Sequence, residues 1–140
     1  MRFLILALFA AGCASNTAGD PSTPNRPDPV GVSEFESEED YRQERAETAA
    51  ELDAAITPAT ASDVASCRVV PTSEQACGGP TSFAVFSSER PDAAEVERLA
   101  ARLVALDIAA NRQFGWASTC MAYAPPVPIL RNGECASDRD

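Results

Sequence analysis

Four cysteines, Cys67, Cys77, Cys120 and Cys135, are spread over the last 74 residues of a 140-residue chain that contains no histidine. A fifth, Cys13, stands apart, behind Met1-Arg2 and an apolar run at residues 3–11 that leads into Gly12. A basic start, a short apolar segment and small residues before the break form a secretory signal, and the run is too short for a bilayer core of roughly 30 Å. Export places the other four thiols in an oxidising compartment, where an even number reads as two disulfides. Zinc is the competing reading. Without histidine or a Cys-x-x-Cys pair, it would need four thiolates at wide spacings in a place that oxidises them. Three pairings are possible, and sequence alone does not choose among them. Cys67 with Cys135 and Cys77 with Cys120 is preferred, because it makes the first and last strands neighbours and pins a turn to a helix end. Each bridge is worth roughly 2–4 kcal/mol to a core that is barely large enough alone.

Leu8-Phe9-Ala10-Ala11-Gly12-Cys13 resembles a bacterial lipobox. The resemblance implies diacylglycerol on the Cys13 thiol, removal of the signal peptide at residues 1–12, and acylation of the new amino terminus. Several acyl chains, at about 0.8 kcal/mol per buried methylene, hold a protein to a bilayer stably. The expected protein is therefore membrane-anchored without crossing the membrane. Ala14 and Ser15 follow the cysteine with no Asp, which resembles lipoproteins sorted to the periplasmic face of a Gram-negative outer membrane.

Residues 13–33 carry the lipidation site and a Pro/Ser-rich linker, with Pro21, Pro24, Pro27 and Pro29 two or three residues apart. Such density favours polyproline II, about 3.1 Å per residue, and a spacer role; a proline-rich ligand for a partner domain is the sharper alternative. Residues 34–57 then hold most of the charge. Nine acidic residues stand against Arg42 and Arg45 between positions 34 and 53, in a chain of net charge −10. Ser33 with Glu36, or Ser37 with Asp40, marks a helix start. Glu38 and Arg42 form a favourable pair, Tyr41, Ala49, Leu52 and Ile56 a thin apolar stripe, and Pro58 a stop. An acidic helix at 37–56 follows, one that repels nucleic acid and anionic headgroups. The charge run reads as a solvated face, since no calcium-loop spacing is present.

Residues 58–140 are expected to form a disulfide-stabilised domain. Arg68-Val69-Val70 ahead of Pro71 reads as a strand, Cys77-Gly78-Gly79-Pro80 as a tight turn, and residues 81–87 as an alternating strand in which Phe86 breaks the polar side. Asp92 with Glu95 matches a capping box, and Gly115 is a stop. Between them Val96, Leu99, Leu103, Leu106, Ala110 and Phe114 make one helical stripe, with Arg98, Arg102 and Arg112 facing away. Asn132-Gly133 predicts a hairpin with arms at 127–131 and 134–137, after a Pro-rich approach through Pro125, Pro126 and Pro128. The expected fold is α+β: a small antiparallel sheet of three or four strands covered by one long helix, preceded by the acidic helix and stapled by two disulfides.

Cys67-Arg68-Val69-Val70, Ala76-Cys77-Gly78-Gly79-Pro80, Phe83, Phe86-Ser87, Ser118, Cys120 and Gly133-Glu134-Cys135 together resemble a group of small, functionally uncharacterised Gram-negative lipoproteins. The likeness covers residues 66–136. It implies an envelope location and a domain whose cysteines are framework, and it implies no activity.

What is missing limits the chemistry. Without His or Lys, every basic side chain being Arg, there is no Ser-His, Cys-His or Ser-Lys activation and no Schiff base. A carboxylate pair is the main acid/base option left; Glu89 with Asp92, or Glu95 with Asp107, is explained as well by solvation and helix-dipole pairing along the long helix. No enzyme, metal or small-molecule cofactor is expected. The leading expectation is a lipid-anchored, non-enzymatic binding or structural module with an envelope protein partner and no nucleic acid, its candidate surface being Gly78, Gly79, Pro80, Trp116, Pro125 and Pro126. The alternative is a periplasmic protease inhibitor or defence factor presenting the loop at 71–78.

Overall fold

The computed structural model describes residues 31, 32 and 34–139. Cys13, the signal peptide and the linker up to residue 30 lie outside the described residues. The elements run in the order helix α1 (Glu38–Ile56), a 3-10 turn (Val64–Ser66), strands β1 (Cys67–Pro71) and β2 (Phe83–Ser87), helix α2 (Ala93–Phe114), and strands β3 (Pro128–Arg131) and β4 (Glu134–Ser137). The mixed α+β class read from the sequence is the one observed, as are both helices.

Helix α2 organises the core because its stripe is continuous. Val96, Leu99, Leu103, Leu106 and Ala110 are each at most 2% exposed, and Gly115 ends the helix in the left-handed region at φ 64°, where glycine carries no Cβ penalty. Its start differs from expectation. Asp92 makes no side-chain cap; its carboxylate is turned back onto Arg90, at 2.6 and 3.1 Å. The same guanidinium donates to the carbonyls of Ile56 (2.6 Å) and Pro58 (3.1 Å), so the acceptor Asp92 would have offered to the helix amides is spent on the cation that satisfies the C-terminal carbonyl of α1. Arg102 also departs from the outward reading: it pairs with Glu44 of α1.

Helix α1 begins as its local sequence dictates. Ser37 Oγ accepts from the Asp40 amide at 3.1 Å, and the Asp40 carboxylate accepts from the Glu36 amide at 3.2 Å. Arg42 pairs with Glu38 at 2.7 Å. Tyr41, Thr48 and Leu52 are buried, while Ala49 and Ile56 pack half-buried against the cluster of Leu52, Phe86, Val96, Leu99 and Leu103. The stripe is narrow, so α1 is held to α2 by polar contacts as well as by apolar burial.

The strands divide between two ladders instead of joining one sheet. β1 and β2 are antiparallel, with Val69 opposite Val85 and Val70 opposite Ala84. β3 and β4 form the hairpin around Asn132-Gly133, with Leu130 opposite Cys135. β4 does not extend the first ladder because its other edge is occupied: Cys135 N donates to Ala59 O at 2.9 Å, and Ala61 N to Gly133 O at 3.0 Å. Helix α2 covers the β1–β2 ladder. Phe86 is fully buried beneath it, and Val85, on the opposite face, packs against Ala61, Cys67 and Cys135, so both faces of β2 are covered. The two ladders are tied by the Cys67–Cys135 bridge, with a Cα separation of 5.5 Å. A second bridge joins Cys77 to Cys120 at 5.6 Å. This is the pairing preferred from sequence, and both separations suit unstrained backbone placement.

Candidate functional site

The Cys77–Cys120 bridge sets the expected Gly78-Gly79-Pro80 surface against residues 120–123, a stretch not expected to take part. Gly78 and Gly79 take φ of 93° and 88°, values that side-chain-bearing residues avoid, and Gly78 N donates to Gln75 O at 2.9 Å while Gln75 N donates to Gly79 O at 3.0 Å. The resulting tight turn faces residues 120–123 across a shallow depression of about 200 Å³. Gln75 Nε2 donates to Met121 O at 2.7 Å and Cys77 N to Ser118 Oγ at 3.4 Å, so the two stretches are cross-tied by more than the disulfide. Gly78, Gly79 and Pro80 are half-buried within this arrangement.

The other expected surface residues separate. Pro125 is exposed and Pro126 buried. Trp116 belongs to an aromatic cluster: its ring lies 5.3 Å from Tyr41 and 5.2 Å from Phe114, and Phe35 packs on both Tyr41 (5.4 Å) and Phe114 (6.3 Å). It is a half-buried lid over the junction of α1 with the C-terminal end of α2. The side chains that do project are Met121 (56% exposed), Tyr123 (43%) and Val127 (61%), with Leu130 (39%) on β3 and Val64 (46%) on the 3-10 turn beside it. Four of these five large apolar side chains fall within residues 121–130, although no periodic pattern in that Pro-rich stretch announces them.

The carboxylates weighed as acid/base pairs are each engaged elsewhere. Glu89 accepts from both Ser62 N (3.0 Å) and Ser62 Oγ, and from Ser66 Oγ (2.6 Å), and these bonds hold its pKa below the ordinary carboxylate value. Arg90 does the same for Asp92, and Arg98, at 2.6 and 2.7 Å, for Glu95. A general acid needs the opposite shift. Glu95 and Asp107 are twelve residues apart on one helix, about 18 Å at 1.5 Å per residue, and do not meet.

Asp107 corrects the reading of a solvated helix face. It is 6% exposed and accepts from three donors: Tyr41 Oη at 2.9 Å, Arg45 Nε at 2.8 Å and the Glu74 amide at 2.9 Å. Burial first, and then the neighbouring Asp107 carboxylate, push the Tyr41 hydroxyl up to about 12. For Arg45, burial opposes the charge, but the bond to Asp107, its negative charge and the neighbouring Tyr41 together outweigh it and the pKa rises. The signal was present: Asp107 lies four residues after Leu103 and three before Ala110, on the edge of the apolar stripe. The hub also pins the loop after β1. Glu74 O accepts from Asn111 Nδ2 at 2.8 Å and Thr72 N donates to Ser82 O at 3.0 Å, while Thr72 and Ser73 are buried. The loop is held down at Thr72, Ser73 and Glu74, while Pro71, Ala76 and Cys77 remain exposed.

Among the described residues, no group of three His, Cys, Asp or Glu side chains is placed to hold a metal ion, and no helix is long and apolar enough to cross a membrane. Comparison of the chain with models of protein families, with curated proteins and with solved structures gives no match.

Proposed function

We propose that the protein is a lipid-anchored module of the Gram-negative cell envelope, held at the periplasmic face of the outer membrane through Cys13, which works by contact with a second envelope component and not by turnover. The reading places it with the small lipoproteins whose Cys67, Ala76-Cys77-Gly78-Gly79-Pro80, Cys120 and Cys135 framework it resembles. One observation carries the contact: Met121, Tyr123 and Val127 project from a stretch without regular secondary structure that a disulfide and two polar cross-ties hold in place. Ordering such a surface before it meets anything lowers the entropy cost of binding. The signal pattern supports the anchor, and the two bridges fit an oxidising compartment.

Metabolic labelling with palmitate tests the anchor. The chain is expected to incorporate label, and Cys13→Ser to lose it and the membrane fraction together. Photocrosslinking from position 123 in living cells tests the contact. Adducts should form there and disappear in a folded variant with Met121, Tyr123 and Val127 all changed to Ser; unchanged labelling would refute the assigned surface.

A further inference from the structure

We infer that the Cys77–Cys120 bridge is a site of thiol–disulfide exchange, at which an incoming thiolate attacks Cys120 Sγ and Cys77 leaves, while Cys67–Cys135 is the permanent staple. The exchange depends on neither the lipid anchor nor an envelope partner. Access separates the two bridges first. Cys67 and Cys135 are 5% and 7% exposed, whereas Cys77 and Cys120 are both exposed and border the depression of about 200 Å³ between the glycine turn and residues 120–123. Exposed or strained bridges are the exchangeable ones. Cys120 supplies strain as well: its φ is 53°, in the left-handed region that a cysteine, unlike glycine or asparagine, occupies at a cost. Asn132, the other such side-chain-bearing position among the described residues, belongs to an Asn-Gly turn that calls for it.

Ser118 determines which sulfur leaves. Its hydroxyl oxygen accepts from Cys77 N at 3.4 Å and is also in hydrogen-bond contact with Cys77 Sγ. A disulfide sulfur carries no proton, so in that second contact the hydroxyl is the donor. A donor aimed at Cys77 Sγ stabilises the thiolate that forms there, and a leaving thiol of lower pKa leaves faster. The Cys120 sulfur lies 3.7 Å from Ser118 O, where a Cys120 thiol, once formed, donates its proton. Cys120 also stands within an exposed run, residues 119–125, whereas Gly78, Gly79 and Ser118 around Cys77 are half-buried. Neither of the joined stretches, 75–88 and 108–133, contains Asp or Glu, in a chain with 21 acidic residues. No carboxylate of theirs opposes the incoming thiolate or the one left behind.

The reductant is a thiol, and the exchange balances. The thiolate RS⁻ forms a bond to Cys120 Sγ, the bond between Cys120 and Cys77 breaks, and its electron pair goes to Cys77 Sγ, leaving a mixed disulfide and the Cys77 thiolate. A second thiolate, from the same dithiol or from another molecule of a small thiol, then attacks the R sulfur and releases the Cys120 thiolate, which takes a proton from solvent. Holds on either side confine the loosening. Upstream, Trp116 stays in its aromatic cluster, beside which Gln113 Nε2 donates to Phe35 O at 2.7 Å and Phe35 N donates to Gln113 Oε1 at 2.8 Å. Downstream, Val127 N donates to the Asp138 carboxylate at 2.9 Å and Arg139 Nη1 to Ala124 O at 3.0 Å. Residues 117–123 loosen between them, and the bond from Gln75 Nε2 to Met121 O keeps the two sulfurs within reach for closure.

The test uses the full chain, expressed with its leader in a Gram-negative host and purified in its oxidised form. Two probes supply the thiolate: glutathione, and a reduced Cys-x-x-Cys protein whose second cysteine is replaced by Ser so that the adduct persists. After brief reaction, acid quench and alkylation, peptide mapping should find the adduct on Cys120 and the alkyl group on Cys77, at least about fivefold over the reverse, with Cys67–Cys135 still closed. An adduct with glutathione alone supports the exchange and assigns a small thiol as its reactant; a faster adduct with the dithiol protein supports it and assigns a protein. Adducts with neither, adducts chiefly on Cys77, or adducts spread equally over both bridges overturn the inference. Ser118→Ala should slow adduct formation about fivefold to tenfold and move alkylation of the reduced Cys77 to higher pH, and Ser118→Thr, which keeps the hydroxyl, should restore both. An unchanged rate and pH dependence in Ser118→Ala overturn Cys77 as the leaving group that Ser118 selects.

Discussion

Replacing Asp107 with Ala removes the one carboxylate that holds three parts of the molecule together: α1 through Tyr41 and Arg45, α2 on which it stands, and the loop at Glu74. A fully buried ion pair deprived of one member loses about 3–5 kcal/mol. The Arg45 side chain is 32% exposed, so water recovers part of that cost, and about 2 kcal/mol is the appropriate share for the orphaned guanidinium. The Glu74 amide and the Tyr41 hydroxyl lose their acceptor as well, adding about 1–2 kcal/mol. The total, about 3–4 kcal/mol, is a large fraction of the roughly 5–15 kcal/mol that holds a domain folded. For a domain near 100 residues each kcal/mol moves Tm by about 4–8 °C, so a fall of about 12–32 °C is expected. Thermal unfolding of the oxidised protein followed by far-UV circular dichroism measures it. The joint replacement Asp107→Leu with Arg45→Leu leaves no buried charge unpaired and should lose less than Asp107→Ala alone. A Tm for Asp107→Ala within about 3 °C of the parent, or a double variant less stable than the single, would refute the hub as the element that docks α1.

Three further outcomes follow from the structure. Cys77 and Cys120 are exposed, whereas Cys67 and Cys135 are 5% and 7% exposed, so limited dithiothreitol followed by alkylation and peptide mapping should label the first pair well before the second; equal labelling would contradict the burial difference. Spectrophotometric titration should resolve one tyrosine ionising near pH 12. Because folding raises this pKa above the ordinary 10, its stabilisation is complete below pH 10 and lost as pH rises through about 12, and Tyr41→Phe should abolish both the high transition and that alkaline loss. Glu89 has the reverse sign: its depressed pKa contributes stability above the ordinary carboxylate range that is lost as pH falls through the lowered value. Hydrogen exchange at the Ser62 amide should accelerate in Glu89→Gln at neutral pH and gain less from acidification than in the parent.

Local pattern made much of this fold legible. The α2 stripe, the Ser37 cap and the Asn132-Gly133 hairpin depend on neighbours in sequence and the formation of two disulfides on compartment, and the structure has each of them; the preferred pairing, also observed, rested on the expected layout of the strands. What escaped depends on elements far apart in the chain. Asp107 counts as a polar-face residue until Tyr41 and Glu74, 66 and 33 positions away, arrive to bond it. Asp92 fits a capping box until Arg90 is drawn to the end of α1. A single sheet is the economical guess until the residues around Thr60 take the second edge of β4. Trp116 illustrates the same limit at the candidate site. A lone tryptophan beside a proline-rich stretch suggests a contact residue, but Phe35 and Tyr41, brought from upstream, make it part of a packed cluster, while Met121, Tyr123 and Val127 are left outside.

Both disulfides lie downstream of α1, between Cys67 and Cys135. If the chain is fastened at Cys13, any pull between membrane and domain enters at Phe35 and is borne first by its reciprocal bonds with Gln113 and the adjoining aromatic rings. Nothing covalent backs up that grip. Under load α1 would peel from α2 while the cross-linked remainder kept its shape, lengthening the leash by the unravelled helix before the core yielded.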